Sequence, residues 1–151
     1  MATPNIEKFD QACGLIFAHL FASFPQRIGI GSGVIEPVFE DENELADWLA
    51  SFASKENFFS STMNWLVDAG YIWCANSQQS YLNASFSECV LTPKALEALK
   101  ASPASLDSTS LGQSLKEAAG SGALDIVKDL ASQVIGKGIE IAAAAAISAL
   151  R

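Results

Sequence analysis

The stretch 58–99, FFSSTMNWLVDAGYIWCANSQQSYLNASFSECVLTPKALEAL, decides how this chain folds. From residue 60 to 69 the apolar side chains Met63, Leu66 and Val67 recur at helical spacing with Trp65 beside them, and Ser60 or Ser61 is placed to cap the start. Gly70 stops that helix, because a glycine just past the last periodic residue adopts the left-handed conformation that lets the chain turn. Tyr71-Ile72-Trp73 then reads as a bulky, strand-prone run. A second strand is expected over residues 86–91, with Phe86, Glu88 and Val90 on one face and Ser87, Cys89 and Leu91 on the other. The polar, pliable residues 75–85 between them predict a long hairpin loop. Thr92-Pro93 opens a further helix, Thr92 as cap and Pro93 in the first turn where its missing N–H costs nothing, with Leu96 and Leu99 facing inward.

Towards the N-terminus, residues 5–24 predict a long first helix. Phe9, Cys13, Ile16, Phe17, Leu20, Phe21 and Phe24 recur three or four apart and form a broad apolar stripe. His19, the sole histidine, lies in this helix with no second histidine or cysteine at ligand spacing, so no metal is predicted. Pro25 ends the helix. The glycines of G-I-G-S-G, Gly29, Gly31 and Gly33, invite comparison with a phosphate-cradling loop, but such a loop needs a strand before it and a helix directly after it. Here a helix precedes and V-I-E-P-V-F follows, whose proline and alternation predict a short extended edge, so no nucleotide or other cofactor is expected. Residues 41–53 read as the next helix, capped by Asp41 or Asn43, with Leu45, Trp48, Leu49 and Phe52 buried. The acids Glu40, Asp41, Glu42, Glu44 and Asp47 lack calcium-loop spacing and read as a solvated helix start. Residues 55–57 are then the turn into the central helix.

Beyond Lys100 the composition changes. Residues 101–110, rich in Ser, Pro and Ala, read as a linker, 111–119 as a short helix, 120–122 as a flexible break and 123–150 as a long helix. Its first half is amphipathic: Asp125, Lys128, Asp129, Ser132, Gln133, Lys137 and Glu140 line one side, and Leu124, Val127, Leu130, Ala131, Val134 and Ile135 the other. Residues 141–150 are apolar apart from Ser148. Ten such residues fall short of the roughly twenty that cross a bilayer, and Lys137 and Glu140 interrupt any extension, so no transmembrane span is predicted. The small residues of this segment suit close packing against a neighbouring helix, and Gly136 and Gly138 are candidate kink points.

With 151 residues, half of them hydrophobic, the chain can bury one real core and carry an appended segment. The net charge of −8 is uneven, residues 1–103 holding 12 acids against 5 bases, and such a surface repels a phosphate backbone unless the few bases gather on one face. Three widely spaced cysteines argue against a disulfide framework and for a reducing compartment. Cys74 and Cys89 fall opposite each other across the expected hairpin, either as a pair or as two buried thiols. Glu7 and Asp10 stand where a secretory signal needs a basic start, which predicts a cytoplasmic protein. No nucleophile has a base within reach of its motif, since Cys13 and His19 fall on different faces of one helix; the chain reads as non-enzymatic.

The order of a helix ending in L-V-D-A-G-Y-I (residues 66–72), a hairpin, and L-T-P-K-A-L-E-A-L (residues 91–99) resembles the winged-helix domains of many small bacterial regulators, over residues 7–100. The resemblance implies that the helix at 57–70 would lie in a DNA major groove, flanked by a wing at 76–83. A groove-reading helix needs side chains that reach base edges and Lys or Arg that neutralise phosphates. Ser60, Ser61, Thr62, Asn64, Gln78 and Gln79 could hydrogen-bond to DNA, with Lys55 and Arg27 nearby, yet neither helix nor wing holds a base. The expected architecture is therefore mainly α with a small β-hairpin: a winged-helix-like domain over residues 1–100, a linker over 101–110 and a helical C-terminal extension over 111–151. The expected function is an intracellular adaptor or regulatory subunit. It would bind a protein partner through Tyr71, Trp73, Gln78, Gln79 and Tyr81, and form a homo-oligomer through Leu124, Val127, Leu130, Val134, Ile135 and Ile141. Two other readings stay open: a DNA-binding regulator dimerising through its terminal helices, favoured if Arg27, Lys55, Lys94 and Lys100 converge beside the central helix, and a protein lying on a membrane surface through its last helix.

Overall fold

A helix that begins at Trp48 runs unbroken to Asp68 in the computed structural model of the chain, which describes residues 5–42, 48–80, 83–101 and 109–149. The turn expected at 55–57 is therefore corrected: no Gly or Pro stands between Trp48 and Asp68, and Ser60 and Ser61 are interior helical residues instead of caps. The proposed cap Asn43 and the acids at 44 and 47 lie outside the described residues. In chain order the elements are α1 (Asn5–Ser23), β1 (Ile28–Gly31), a 3-10 segment (Ser32–Glu42), α2 (Trp48–Asp68), β2 (Ile72–Trp73), β3 (Asn76–Ser80), β4 (Asn83–Leu91), α3 (Pro93–Lys100), α4 (Leu111–Ser121) and α5 (Leu124–Ala149). The protein is mainly α with one small antiparallel sheet and helices at its C-terminal end. The residues around Pro37 expected as an extended edge are the 3-10 segment instead, which seats Ile35 and Val38 in the core.

The end of α2 follows from its glycine. Gly70 has φ +82°, its N–H bonds to the Val67 carbonyl at 3.0 Å and the Tyr71 N–H reaches back to the Leu66 carbonyl at 2.8 Å, closing the last helical turn. The opening of α3 matches its signal too: the Thr92 hydroxyl accepts from the Ala95 N–H at 3.3 Å and donates to the Gly70 carbonyl at 2.6 Å, so one side chain caps α3 and ties it to the end of α2.

Strand β4 is the middle of the sheet, with β1 on one side and β2 and β3 on the other. Residues 76–80, read from sequence as loop, form β3 and pair with β4 from Asn76↔Ser87 to Ser80↔Asn83. Its first two residues, Asn76 and Ser77, are exposed, and polar side chains suit a strand face open to water, where a buried face would have demanded apolar alternation. The expected faces of β4 are also corrected. Ile28 pairs with Cys89 and Ile30 with Phe86, so β4 holds one residue more than β1 across that interval, and Glu88 takes φ +53°. Such a bulge reverses the inside–outside parity, which is why Phe86 and Cys89 are both buried.

One buried cluster takes in α1, the sheet, α2, α3, α4 and the first half of α5. Residues 111–141 are therefore packed onto residues 5–101 without a separate core, and the linker expected over 101–110 falls largely outside the described residues. Helix α5 crosses α1 closely at Gly14, where an added methyl would stand 2.4 Å from Val127 Cγ1 and 2.9 Å from the Val127 carbonyl oxygen. It also passes Tyr71 at Gly138, where an added methyl would meet the ring at 2.4 Å. No break occurs at Gly136 or Gly138; α5 is one helix.

Candidate functional site

Trp73 ends β2 with half its surface, 52 %, in solvent. Around it the α1–β1 connection contributes Phe24, Pro25 and Arg27, the β4–α3 junction contributes Val90 to Pro93, and α3 contributes Leu96. Together they line an open groove of about 290 Å³ whose walls are almost wholly apolar. Arg27 is the one charged side chain on that lining, and its guanidinium donates to the Glu88 carbonyl at 3.4 Å. Phe24 was read from sequence as the end of the helical stripe, yet it is part-exposed at the groove edge. Nothing in the sequence links residues 24, 73 and 96; the pairing of β1 and β2 on opposite sides of β4 brings them together.

Of the five residues expected to contact a partner, Tyr71 and Trp73 have described side chains, and these two take different places. Tyr71 belongs to the core: its hydroxyl donates to the Ile135 carbonyl at 2.7 Å, and its ring stacks on Trp65 at 6.2 Å and tilts against Phe17 at 5.9 Å. Burial pushes its phenol pKa up. Trp73 lines the groove. Gln78 and Gln79 lie on β3 opposite Ser85 and Ala84, their side chains beyond what the structure describes, and Tyr81 lies outside the described residues.

The residues assigned to self-association are redistributed as well. Val127, Leu130 and Val134 are buried in the chain's own core, and Leu124, Ile135 and Ile141 are packed against it in part. This correction has a plain cause, since an amphipathic helix buries its apolar face on the nearest apolar surface, here α1, α3 and α4. Besides Ile126 near its start, the apolar surface that α5 leaves exposed is at the far end: Ile139 at 61 %, Ile147 at 59 % and Ala142 to Ala146. Residues 142–148 project beyond the last core contact by about 10 Å at 1.5 Å per residue. By length and composition α5, over Leu124–Ser148, is apolar enough to cross a membrane, its most apolar 18-residue stretch having a mean hydropathy of 1.4, where the sequence reading counted only the last ten residues.

Three of the four cations, Arg27, Lys55 and Lys94, do not converge on α2. Its exposed stripe is Ser54, Asn57, Ser61, Trp65 and Asp68. Lys55, near the helix start, faces Glu36 at 3.9 Å with little of its side chain exposed. Lys94 sits at the other end, roughly 20 Å away along the helix axis, donating to the Ala69 carbonyl and lying 4.3 Å from the Tyr71 ring centroid. Arg27 is turned to β4. Glu56, almost fully buried, accepts from the Ser32 hydroxyl at 2.6 Å and the Ala84 N–H at 3.1 Å, clamping the 3-10 segment and the hairpin to α2. Among the described residues no group of three or more His, Cys, Asp or Glu is placed to hold a metal ion.

Beside the groove, Cys74 and Cys89 bring their Sγ atoms to 2.8 Å. The contact with Cys89 holds the Cys74 thiol below its ordinary range, and that same contact, with burial added, pushes Cys89 up. Cys13 stands apart in the core, its thiol pushed well up by burial. Compared with protein-family models, with curated proteins and with solved structures, the chain matches none of them.

Proposed function

We propose that this protein is a non-enzymatic, intracellular adaptor or regulatory subunit, built on a winged-helix-type domain that binds protein instead of DNA and self-associates through the exposed end of α5. The winged-helix reading draws support from the order of elements: α1, β1, the 3-10 segment, α2, and a hairpin clamped against α2 by Glu56. One observation carries the functional choice. The solvent face of α2 presents serines, an asparagine, a tryptophan and an aspartate, while the cations around it are engaged within the molecule. Polyanion binding needs phosphate-neutralising side chains in that place. An apolar groove with a tryptophan in its wall is the composition of a protein-contact patch.

The self-association arm rests on the end of α5. Ile139, Ala143, Ala146 and Ile147 share one face by their spacing, and covering an isoleucine that is about 60 % exposed is worth roughly 1–2 kcal/mol. Two copies packing these faces would bury four such side chains. Light scattering tests the arm: the full chain should exceed its single-chain mass of 16.0 kDa, and Ile139→Glu with Ile147→Glu should return it to that mass. A full chain that stays at single-chain mass overturns self-association. If that same chain floats with lipid vesicles, the hydropathy of α5 favours the membrane-surface reading.

A further inference from the structure

Cys74 and Cys89 stand where β4 changes partner. Ser87 pairs with Asn76 on β3, Val90 pairs with Trp73 on β2, and between them Glu88 takes its positive φ while the Ala75 N–H bonds to the Ser87 carbonyl at 3.1 Å. The bulge turns Cys89 inward and sets its sulfur 2.8 Å from that of Cys74. An S–S bond is about 2.05 Å long, so closing one here asks for a movement of less than about 1 Å on strands already held in register. The two thiols also differ in access: Cys74 is half-buried and Cys89 fully buried.

We propose that Cys74 and Cys89 form a reversible dithiol–disulfide site, with Cys74 as the attacking thiol, Cys89 as the resolving thiol and a low-molecular-weight disulfide as the oxidant. The Cys74 thiolate attacks one sulfur of the small disulfide, forming a mixed disulfide and releasing one small thiolate. The Cys89 thiol gives up its proton and attacks the Cys74 sulfur, forming the Cys74–Cys89 bond and releasing the second. The protein loses two protons and two electrons, and the oxidant takes up both pairs to become two thiols.

Geometry assigns the roles, and the lowered Cys74 thiol agrees with them, because the thiolate is the attacking species. Cys13, with no cysteine opposite it and none of its surface in solvent, takes no part. In a reducing compartment such a bond is transient and answers to redox conditions. Trp73 and Val90, each next to one of these cysteines, both line the groove, so the bond pins that wall of the groove in its present shape.

The test uses the reduced full-length chain and glutathione disulfide, with alkylation under denaturing conditions and peptide mass mapping. The wild type should form the Cys74–Cys89 disulfide within one chain, leave Cys13 to be alkylated, and return to three thiols with dithiothreitol. Cys89→Ser should stop at a glutathione adduct on Cys74. Cys74→Ser should react at Cys89 at least about ten-fold more slowly than Cys89→Ser does at Cys74, as a buried thiol must. A wild type that keeps both thiols, pairs through Cys13 or links between chains overturns the site; equal rates in the two variants overturn the roles. Circular dichroism on the serine variants checks their helix content, and the wild-type reaction stands without them.

Discussion

Placing one methyl group at Gly138 asks whether α5 is part of the folded core. The added carbon would stand 2.4 Å from Tyr71 Cε1, 2.7 Å from its oxygen and 2.9 Å from Cζ. Tyr71 has little room to yield: Trp65 stacks on its ring, Phe17 leans against it, Lys94 covers it and the Ile135 carbonyl accepts its hydroxyl. Either α5 lifts away or the tyrosine gives up that bond. Overpacking costs about 1–3 kcal/mol, the lost hydrogen bond about 1 kcal/mol, and the helix preference for alanine over glycine returns roughly 0.5–1 kcal/mol. Gly138→Ala should therefore destabilise by about 1–3 kcal/mol overall. Gly136, one half-turn away in the same helix, has nothing within 4 Å of an added carbon, so Gly136→Ala should stabilise by roughly 0.5–1 kcal/mol. Urea unfolding of both variants supplies the measurement. Opposite signs are expected from the same chemical change two positions apart; stabilisation by both would show that α5 does not pack on Tyr71.

Substitutions at two further positions probe the ties between elements. Thr92→Ala removes both the cap of α3 and the bond to the Gly70 carbonyl and should lower unfolding stability by about 1–2 kcal/mol, with Thr92→Ser recovering most of it. At the buried clamp, Glu56→Gln should cost about 1 kcal/mol, because the Ser32 hydroxyl can reverse to accept from the new amide while Ala84 keeps an acceptor. Glu56→Ala strands the Ala84 N–H and should cost roughly 1–3 kcal/mol, read from the same urea midpoints.

Local chemistry was the legible part of this sequence. Gly70, Pro93 and the capping bond of Thr92 act through close neighbours in the chain, which a reader sees at once; only the bond from Thr92 to the Gly70 carbonyl reaches further. The first helix and the buried stripe of α5 were legible for the same reason, as periodicity is a property of neighbours. The long α2 was missed because Lys55–Asn57 looks like a turn when burial is unknown; Glu56 is in fact fixed by Ser32 and Ala84, both more than twenty residues away. The bulge at Glu88 was equally hidden. It exists because β4 must serve β1, β2 and β3 together, and it alone brings Cys89 to the side of Phe86 and up to Cys74. The groove escaped for a related reason, as Phe24, Trp73 and Leu96 are neighbours only once the sheet has formed.

The claim that α2 and its hairpin meet protein and not nucleic acid is most directly tested by fluorescence anisotropy with duplex DNA over a range of salt. With the nearby cations engaged in the fold, binding at physiological salt should be no tighter than the non-specific range of about 10⁻⁴–10⁻⁶ M. A dissociation constant near 10⁻⁸ M or below, rising steeply with salt as expected of six or more phosphate contacts, would contradict the account and make the chain a DNA-binding regulator.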